Sequence, residues 1–334
     1  MSATMRAVVI TRPGPADALD VRDVPRPVPG YGQVLVRVHA TAVNRADILQ
    51  REGRYPAPPD APADIPGLEF AGEIAALGPG VRDWREGQAV FGLTGGGSYA
   101  EYLVTHERLL AGIPDGLSWT DAAAIPEAFI TAHDALVWGA ALHSGERVLV
   151  HAVGSGVGLA AVQLVRTMGG VPFGSARQSY KVDAAREFGL QDGVVVGSDL
   201  GPLVAQARAW GDGQGMDVVL DLLGGPYVTA GIECLRIRGR LMLIGTLAGR
   251  EATIPVGRVL SSRLTIRGTV LRARPLEEKI AATRAFVHDV VPLIQRRLLR
   301  AVVDSVFPLD GVRDAHRRLE SNATVGKVVL AIHD

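Results

Sequence analysis

The 334-residue sequence contains a single cysteine, Cys234. One thiol cannot close an intrachain disulfide, and it cannot supply the four-cysteine lobe or Cys-rich centre of a structural zinc site. An excess of either charge is also missing, because lysine plus arginine and aspartate plus glutamate each total 35. That balance provides no global field to attract nucleic acid, an anionic membrane or a polyanionic partner. No apolar run approaches the ~20 residues that a bilayer-spanning helix requires. Residues 1–10 show no long apolar core followed by a small-residue cleavage site. These absences lead us to expect a soluble, cytoplasmic protein with neither nucleic acid nor membrane as partner.

Apolar residues, by contrast, are plentiful. Hydrophobic residues make up 47% and charged residues 21%, enough for a sizeable core, and the length suits two domains. The first third reads as short strands separated by turns. Met5–Ile10, Gln33–Ala40 and Glu73–Leu77 are β-rich, and Pro and Gly cluster in Pro25–Gly32 and Tyr55–Pro66. Val34, Val36 and Val38 alternate with Leu35, Arg37 and His39, the period of a sheet with one face more buried. This region is predicted to be a compact antiparallel β domain.

Near Ala122 the pattern changes. The apolar runs Arg147–His151, Val171–Phe173, Val194–Val196, Val218–Asp221, Leu241–Gly245 and Leu264–Val270 alternate with helical stretches such as Leu159–Met168 and Lys181–Phe188. That alternation predicts a parallel, doubly wound sheet. The tail starts helical and ends in the strand Lys327–Ile332, which is expected to return to the first domain. The organisation is therefore an α/β fold, with residues 1–124 and 271–334 in one domain and 125–270 inserted as the dinucleotide-binding domain.

The sharpest motif is Val148–Gly158, a strand running into Gly154, Ser155, Gly156, Val157 and Gly158 at the start of an apolar helix. Small residues there let the backbone N–H groups and the positive helix end approach a pyrophosphate, and Gly158 allows the helix to pack closely on the strand. The spacing is not a strict G-x-G-x-x-G, since Val153 and Ser155 hold the first two glycine positions. An ordinary tight strand–helix connection is the alternative. NAD-binding versions place an acidic residue about 20 positions further on. Here Gly174–Lys181 has no acid. It offers Ser175, Arg177 and Lys181, which suit the 2′-phosphate of NADPH unless they are incidental residues of a solvated helix start.

Asn44–Asp47, Gly67–Glu69, Ala122–Ala128, His151–Ala152 with Ser155–Gly158, and Gly326–Leu330 together resemble the quinone oxidoreductase branch of the medium-chain dehydrogenases, over essentially the whole chain. The resemblance implies a GroES-like β domain split around a Rossmann-type, doubly wound parallel sheet. It also implies a homodimer paired through the strand Leu264–Val270. Zinc-dependent relatives hold a catalytic metal with Cys, His and often a carboxylate. This chain has Asn44 at the first ligand position and Leu68 in place of the usual histidine, and Gly92–Tyr99 is too short for a cysteine lobe. No metal is therefore expected.

By the same resemblance, Tyr55, Asn44 and Asp47 are the candidate catalytic or substrate-facing residues, although Tyr55 could equally pack against Pro56, Pro58 and Pro59. Thr131, Gly245, Thr246, Leu271, Arg272 and Lys327 are candidate cofactor contacts, with a surface position the alternative for Lys327. A tyrosine that often assists at the adenosine phosphate is replaced here by Val196. The implied activity is NADPH-dependent reduction of quinones by hydride transfer without metal; an NADPH-dependent enone or enoyl reductase is the same-class alternative. Crystallin-like or RNA-binding service is a more remote one. No Ser or Cys in these motifs pairs with a base, so no covalent nucleophile is expected.

Overall fold

The computed structural model describes residues 4–333. The chain divides into two compact units, the first comprising residues 1–130 and 271–334 and the second residues 131–270. The first boundary falls inside the helix Pro126–His133, later than residue 124, and the second falls at 270.

In the first unit, β1 (Thr4–Ile10) and β2 (Leu19–Pro25) form an antiparallel ribbon. The main sheet contains β3 (Gln33–Val43), β4 (Glu69–Leu77), β5 (Ala89–Leu93), β6 (Tyr102–His106) and β7 (Leu110–Gly112). It also contains Val303–Pro308 and Lys327–Ala331, in the order Val303–Pro308, Lys327–Ala331, β3, β4, β5, β7, with β6 also paired to β3. The closing strand thus lies antiparallel beside β3, with Val328 opposite Val43. Val303–Pro308 joins it in parallel, a departure from an all-antiparallel domain. The helix Val312–Glu320 supplies the crossover that a parallel pair needs.

As the central strand, β3 is covered on both faces. Val34, Val36 and Val38 are fully buried as expected, but Leu35 and His39 are buried too. A one-sided alternation therefore understates how completely this strand is enclosed. The short helix α1 (Arg45–Arg51) starts directly after it, with Asn44 as its cap and Asp47 in its first turn closing a capping box.

The second unit is a six-stranded parallel sheet built from β8 (Arg147–Val150), β9 (Val171–Ala176), β10 (Asp192–Val195), β11 (Met216–Asp221), β12 (Leu235–Leu243) and β13 (Thr265–Gly268). Its order is β10-β9-β8-β11-β12-β13. The chain moves outward from β8 in one direction and then restarts at β11 in the other, so the order reverses between two central strands. In open α/β sheets ligands bind at the strand carboxyl ends beside such a reversal. Leu149, Phe173, Val219, Leu235 and Leu241 fill the core on the sheet. Val196, expected to replace a cofactor-contacting tyrosine, belongs to this same core.

The outer strand β13 exposes Thr265, Arg267 and Gly268, so the edge is less apolar than its flanks in the sequence suggest. Apolar surface lies nearby on Val256, Leu260 and Val270, which are 62%, 72% and 50% exposed. An unpaired strand edge flanked by apolar side chains favours pairing with a second copy. We therefore expect a homodimer, and sedimentation at micromolar concentration should give twice the chain mass. A monomer at that concentration would contradict it.

Candidate active site

In the first unit the site grows from the turn between β3 and α1. The Asn44 amide N–H donates to Asp47 Oδ2 at 2.7 Å, and the Gly67 N–H donates to Asp47 Oδ1 at 3.0 Å. The Tyr99 hydroxyl donates to Oδ2 at 3.2 Å. Asp47 is completely buried, and burial pushes its pKa up to about 6 against the pull of these donors. Its oxygens are committed to holding three chain segments together, so Asp47 positions the site and does not face a substrate.

Above it, the Asn44 side chain donates to Glu69 Oε1 at 2.8 Å and to the Ala42 carbonyl. Its own Oδ1 accepts from Lys327 Nζ. Lys327 is 5% exposed, not a surface lysine, and its ammonium is 2.6 Å from Glu69 Oε1 and 3.8 Å from Glu127 Oε2. Glu69 Oε2 in turn accepts the Glu127 N–H at the start of the helix Pro126–His133. Burial alone would lower the lysine pKa, but the facing Glu69 and Glu127 carboxylates outweigh it and hold the ammonium charged. With its amide nitrogen bonded to Glu69 and Ala42 and its oxygen to Lys327, the Asn44 side chain is built into the scaffold of the site.

Tyr55 lies half-buried on the loop after α1, with the Arg272 guanidinium 5.1 Å from its ring centre. Arg272 is itself tied to the Gly95 carbonyl, the Gln50 side chain and the Tyr55 carbonyl. Burial raises the Tyr55 pKa and Arg272 opposes the rise, so the hydroxyl stays protonated at neutral pH. Arg272, expected to line the cofactor, is thus spent on shaping the Tyr55 loop. Leu271 beside it is half-buried.

In the second unit, the expected phosphate-binding turn lies at the carboxyl end of β8. Ser155 caps the helix Gly156–Thr167, its hydroxyl accepting the Gly158 N–H at 3.1 Å. A Cβ on Gly158 would fall 2.6 Å from the Ala152 carbonyl oxygen, so only glycine fits there. The neighbouring strand ends bring Ser175, Gly245 and Thr246 to the same edge of the sheet. Arg177 is exposed and Lys181 half-buried, whereas Ser175 is fully buried. The Ser175 hydroxyl lies 2.8 Å from His151 Nδ1, so a serine here does pair with a base. Both residues are fully buried, which keeps this serine from attacking a substrate. Burial pushes the Cys234 thiol up to about 12, far from a reactive thiolate. Thr131 is half-buried on the helix after Pro126.

Comparison with known proteins places this geometry in a family. Residues 30–115 match the alcohol dehydrogenase GroES-like domain, and residues 194–330 match the zinc-binding dehydrogenase family. The chain is 35% identical to part of the pikromycin polyketide synthase component PikAII of Streptomyces venezuelae, over 96% of its own length but only 8% of that protein. The human synaptic vesicle membrane protein VAT-1 homolog is 30% identical, with 98% of this chain and 86% of that protein covered. The chain belongs to the medium-chain dehydrogenase/reductase superfamily. Solved structures agree on the fold. An NAD-dependent alcohol dehydrogenase superposes with a TM-score of 0.87 at 31% identity, covering 98% of this chain and 100% of that one. A mycobacterial quinone oxidoreductase gives 0.84 at 26% identity with the same coverage.

The zinc named for one matched family does not fit this medium-chain dehydrogenase/reductase. Asn44 and Glu69 bind the Lys327 ammonium, and no group of three or more His, Cys, Asp or Glu among the described residues is arranged to hold a metal. A nicotinamide dinucleotide is compatible with the residues present, because Gly156 and Val157 stand half-buried at the first positions of a helix, where backbone N–H groups suit a phosphate. Sequence reasoning did not find roles for Glu127, Tyr99, Arg51 or His316. Only Glu127 carried a signal, through its place beside Pro126.

His316 illustrates how closed the support beneath the site is. Arg51 Nη1 donates to its Nδ1 at 3.1 Å, which puts the ring proton on Nε2, facing the Tyr99 hydroxyl oxygen at 3.3 Å. Arg51 is also paired with Glu320. Burial, reinforced by Arg51, lowers the His316 pKa to about 3. Between pH 6.5 and 3 the unfolded chain therefore binds a proton here that the folded chain refuses. The stability contributed by the neutral ring is complete above pH 6.5 and is lost as pH falls, at about 1.4 kcal/mol per unit. His316→Gln should flatten that part of the pH profile in urea unfolding between pH 7 and 5. Parallel profiles for the two proteins would contradict it.

Proposed function

We propose that this protein is an NADPH-dependent reductase of quinones or related enones that works without a metal. The observation that carries this reading is the Lys327 ammonium buried between Glu69 and Asn44. A fixed cation already balances the charge there, and a second cation would meet repulsion and an occupied set of oxygens. Alcohol oxidation gains most from a Lewis acid that polarises the alcohol oxygen. Quinones and conjugated enones accept hydride with far less help. NADPH, when bound, supplies that hydride.

The protein's own residues bind, orient and shield. The helix start at Gly156 and Val157 presents amides to a pyrophosphate, and Arg177 with Lys181 offers charge to a 2′-phosphate. Tyr55 is the group on the first unit best placed to meet an acceptor, because no described residue occupies its hydroxyl and Arg272 fixes its loop. Its role is positioning, since quinones need little protonic help. An enoyl reductase would use the same residues, and the acceptor distinguishes the two.

NADPH oxidation followed against quinones, enones, aldehydes and alcohols should show turnover with the first two classes, unaffected by chelators. Tyr55→Phe should leave turnover near wild type, and Tyr55→Ala should raise the acceptor KM. Stoichiometric zinc with chelator-sensitive activity would defeat the metal-free reading.

The cofactor preference is checked separately. Charge-assisted contacts to phosphate contribute roughly 1.5–3 kcal/mol each. Replacing Arg177 and Lys181 together by alanine should weaken NADPH binding and leave NADH nearly unchanged. Equal loss for both would assign the pair another role.

A further inference from the structure

His151 follows the last residue of β8, at the point where the order of the parallel sheet reverses. Its ring is enclosed by three neighbours. Nδ1 lies 2.8 Å from the Ser175 hydroxyl near the end of β9, and the Tyr227 ring packs edge-on at 5.2 Å. Asp221, closing β11 on the other side, accepts the Leu223 and Gly224 N–H groups on Oδ1 and acts on His151 through its charge. Among the described residues, neither Asp221 Oδ2 nor His151 Nε2 has a hydrogen-bond partner. The hydroxyl and the imidazole nitrogen can each donate or accept, so the Ser175–His151 bond forms with either ring tautomer. The Ser175 carbonyl also accepts the Val153 N–H at 3.0 Å. A single residue of β9 therefore holds the phosphate turn twice, once through backbone and once through side chain.

The bases that would meet a 2′-phosphate follow Ser175 in the chain. Arg177 is exposed two residues on, and the Lys181 stem lies across the turn itself. A Cβ on Gly154 would fall 2.8 Å from Lys181 Cβ, so this crossing requires the missing side chain. The turn and the basic segment follow different strands, and Ser175 bonds them together while the Lys181 stem packs across Gly154.

We propose that the His151–Ser175 pair is a positioning device for cofactor discrimination, setting the span between the phosphate turn and the Arg177–Lys181 segment. The proposal rests on the dinucleotide reading above. NADPH must reach both anchors at once, so an error in their spacing costs a ligand that uses both. NADH lacks the 2′-phosphate and engages only the turn, so the same error leaves it almost unaffected.

Binding is to be measured directly, by nicotinamide fluorescence for NADPH and NADH and by calorimetry for 2′,5′-ADP and 5′-AMP. Ser175→Ala should raise Kd for NADPH and 2′,5′-ADP about tenfold while NADH and 5′-AMP stay within about twofold. Ser175→Thr, which keeps the hydroxyl, should restore NADPH binding. His151→Asn carries the same expectation as the alanine variant and decides the matter if that variant fails to fold. Equal losses for NADPH and NADH, or no loss for either, would overturn the positioning role. A wild-type protein that binds neither dinucleotide would instead remove the oxidoreductase reading on which the proposal stands.

Discussion

A lysine ammonium cannot be buried without partners, and the Lys327 cluster is the first unit's solution to that constraint. Taking an ammonium out of water costs several kcal/mol unless carboxylates and hydrogen bonds replace the lost hydration. Here Glu69 and Asn44 touch it and Glu127 stands behind them. The donors and acceptors come from the end of β3, the start of β4, the helix after Pro126 and the first residue of the closing strand. One buried charge thus ties together chain segments separated by as many as 283 positions. Removing either charged partner would strand the other, so the arrangement holds only when the whole sheet is assembled.

A second buried network lies directly beneath. Asp47 holds the Asn44 and Gly67 amides, Tyr99 bridges Asp47 to His316, and His316 is kept neutral by burial and by Arg51. Each member has its donors and acceptors matched, which is the condition for a polar network to rigidify a core and not weaken it. The consequence for chemistry is a division of labour. Asn44 and Asp47 spend their hydrogen bonds on the scaffold, whereas Tyr55 stands half-buried on a loop held by Arg272.

The second unit solves a different problem, that of holding the glycine turn at the carboxyl end of a parallel sheet in place against the neighbouring strand. Glycine at 158 lets the helix come down on the turn, and the double tie from Ser175 fixes the turn to the adjacent strand. Ser175, His151 and Asp221 contain the atoms of a nucleophilic site, but their burial turns the same chemistry into support. What a serine–histidine pair does depends on access as much as on spacing.

The order of strands and helices, the doubly wound character of the second unit and the glycine turn were legible in the residues alone, because periodicity and glycine placement are local properties. So was the lack of cysteine and histidine donors for zinc at the expected positions, since that follows from residue identity alone. Tertiary structure decided the rest. Lys327 could be read as a surface or a site residue, and Asn44 as a ligand group, until folding placed them together across the length of the chain. Asp47 and Arg272 looked like site residues because of their neighbours in sequence, yet their side chains are consumed by hydrogen bonds to distant loops. Ser175 looked like a phosphate contact, and its burial beside His151 made it part of the frame. Burial and long-range pairing are set by the packing of segments remote in sequence, and no local pattern encodes which polar side chains that packing will use.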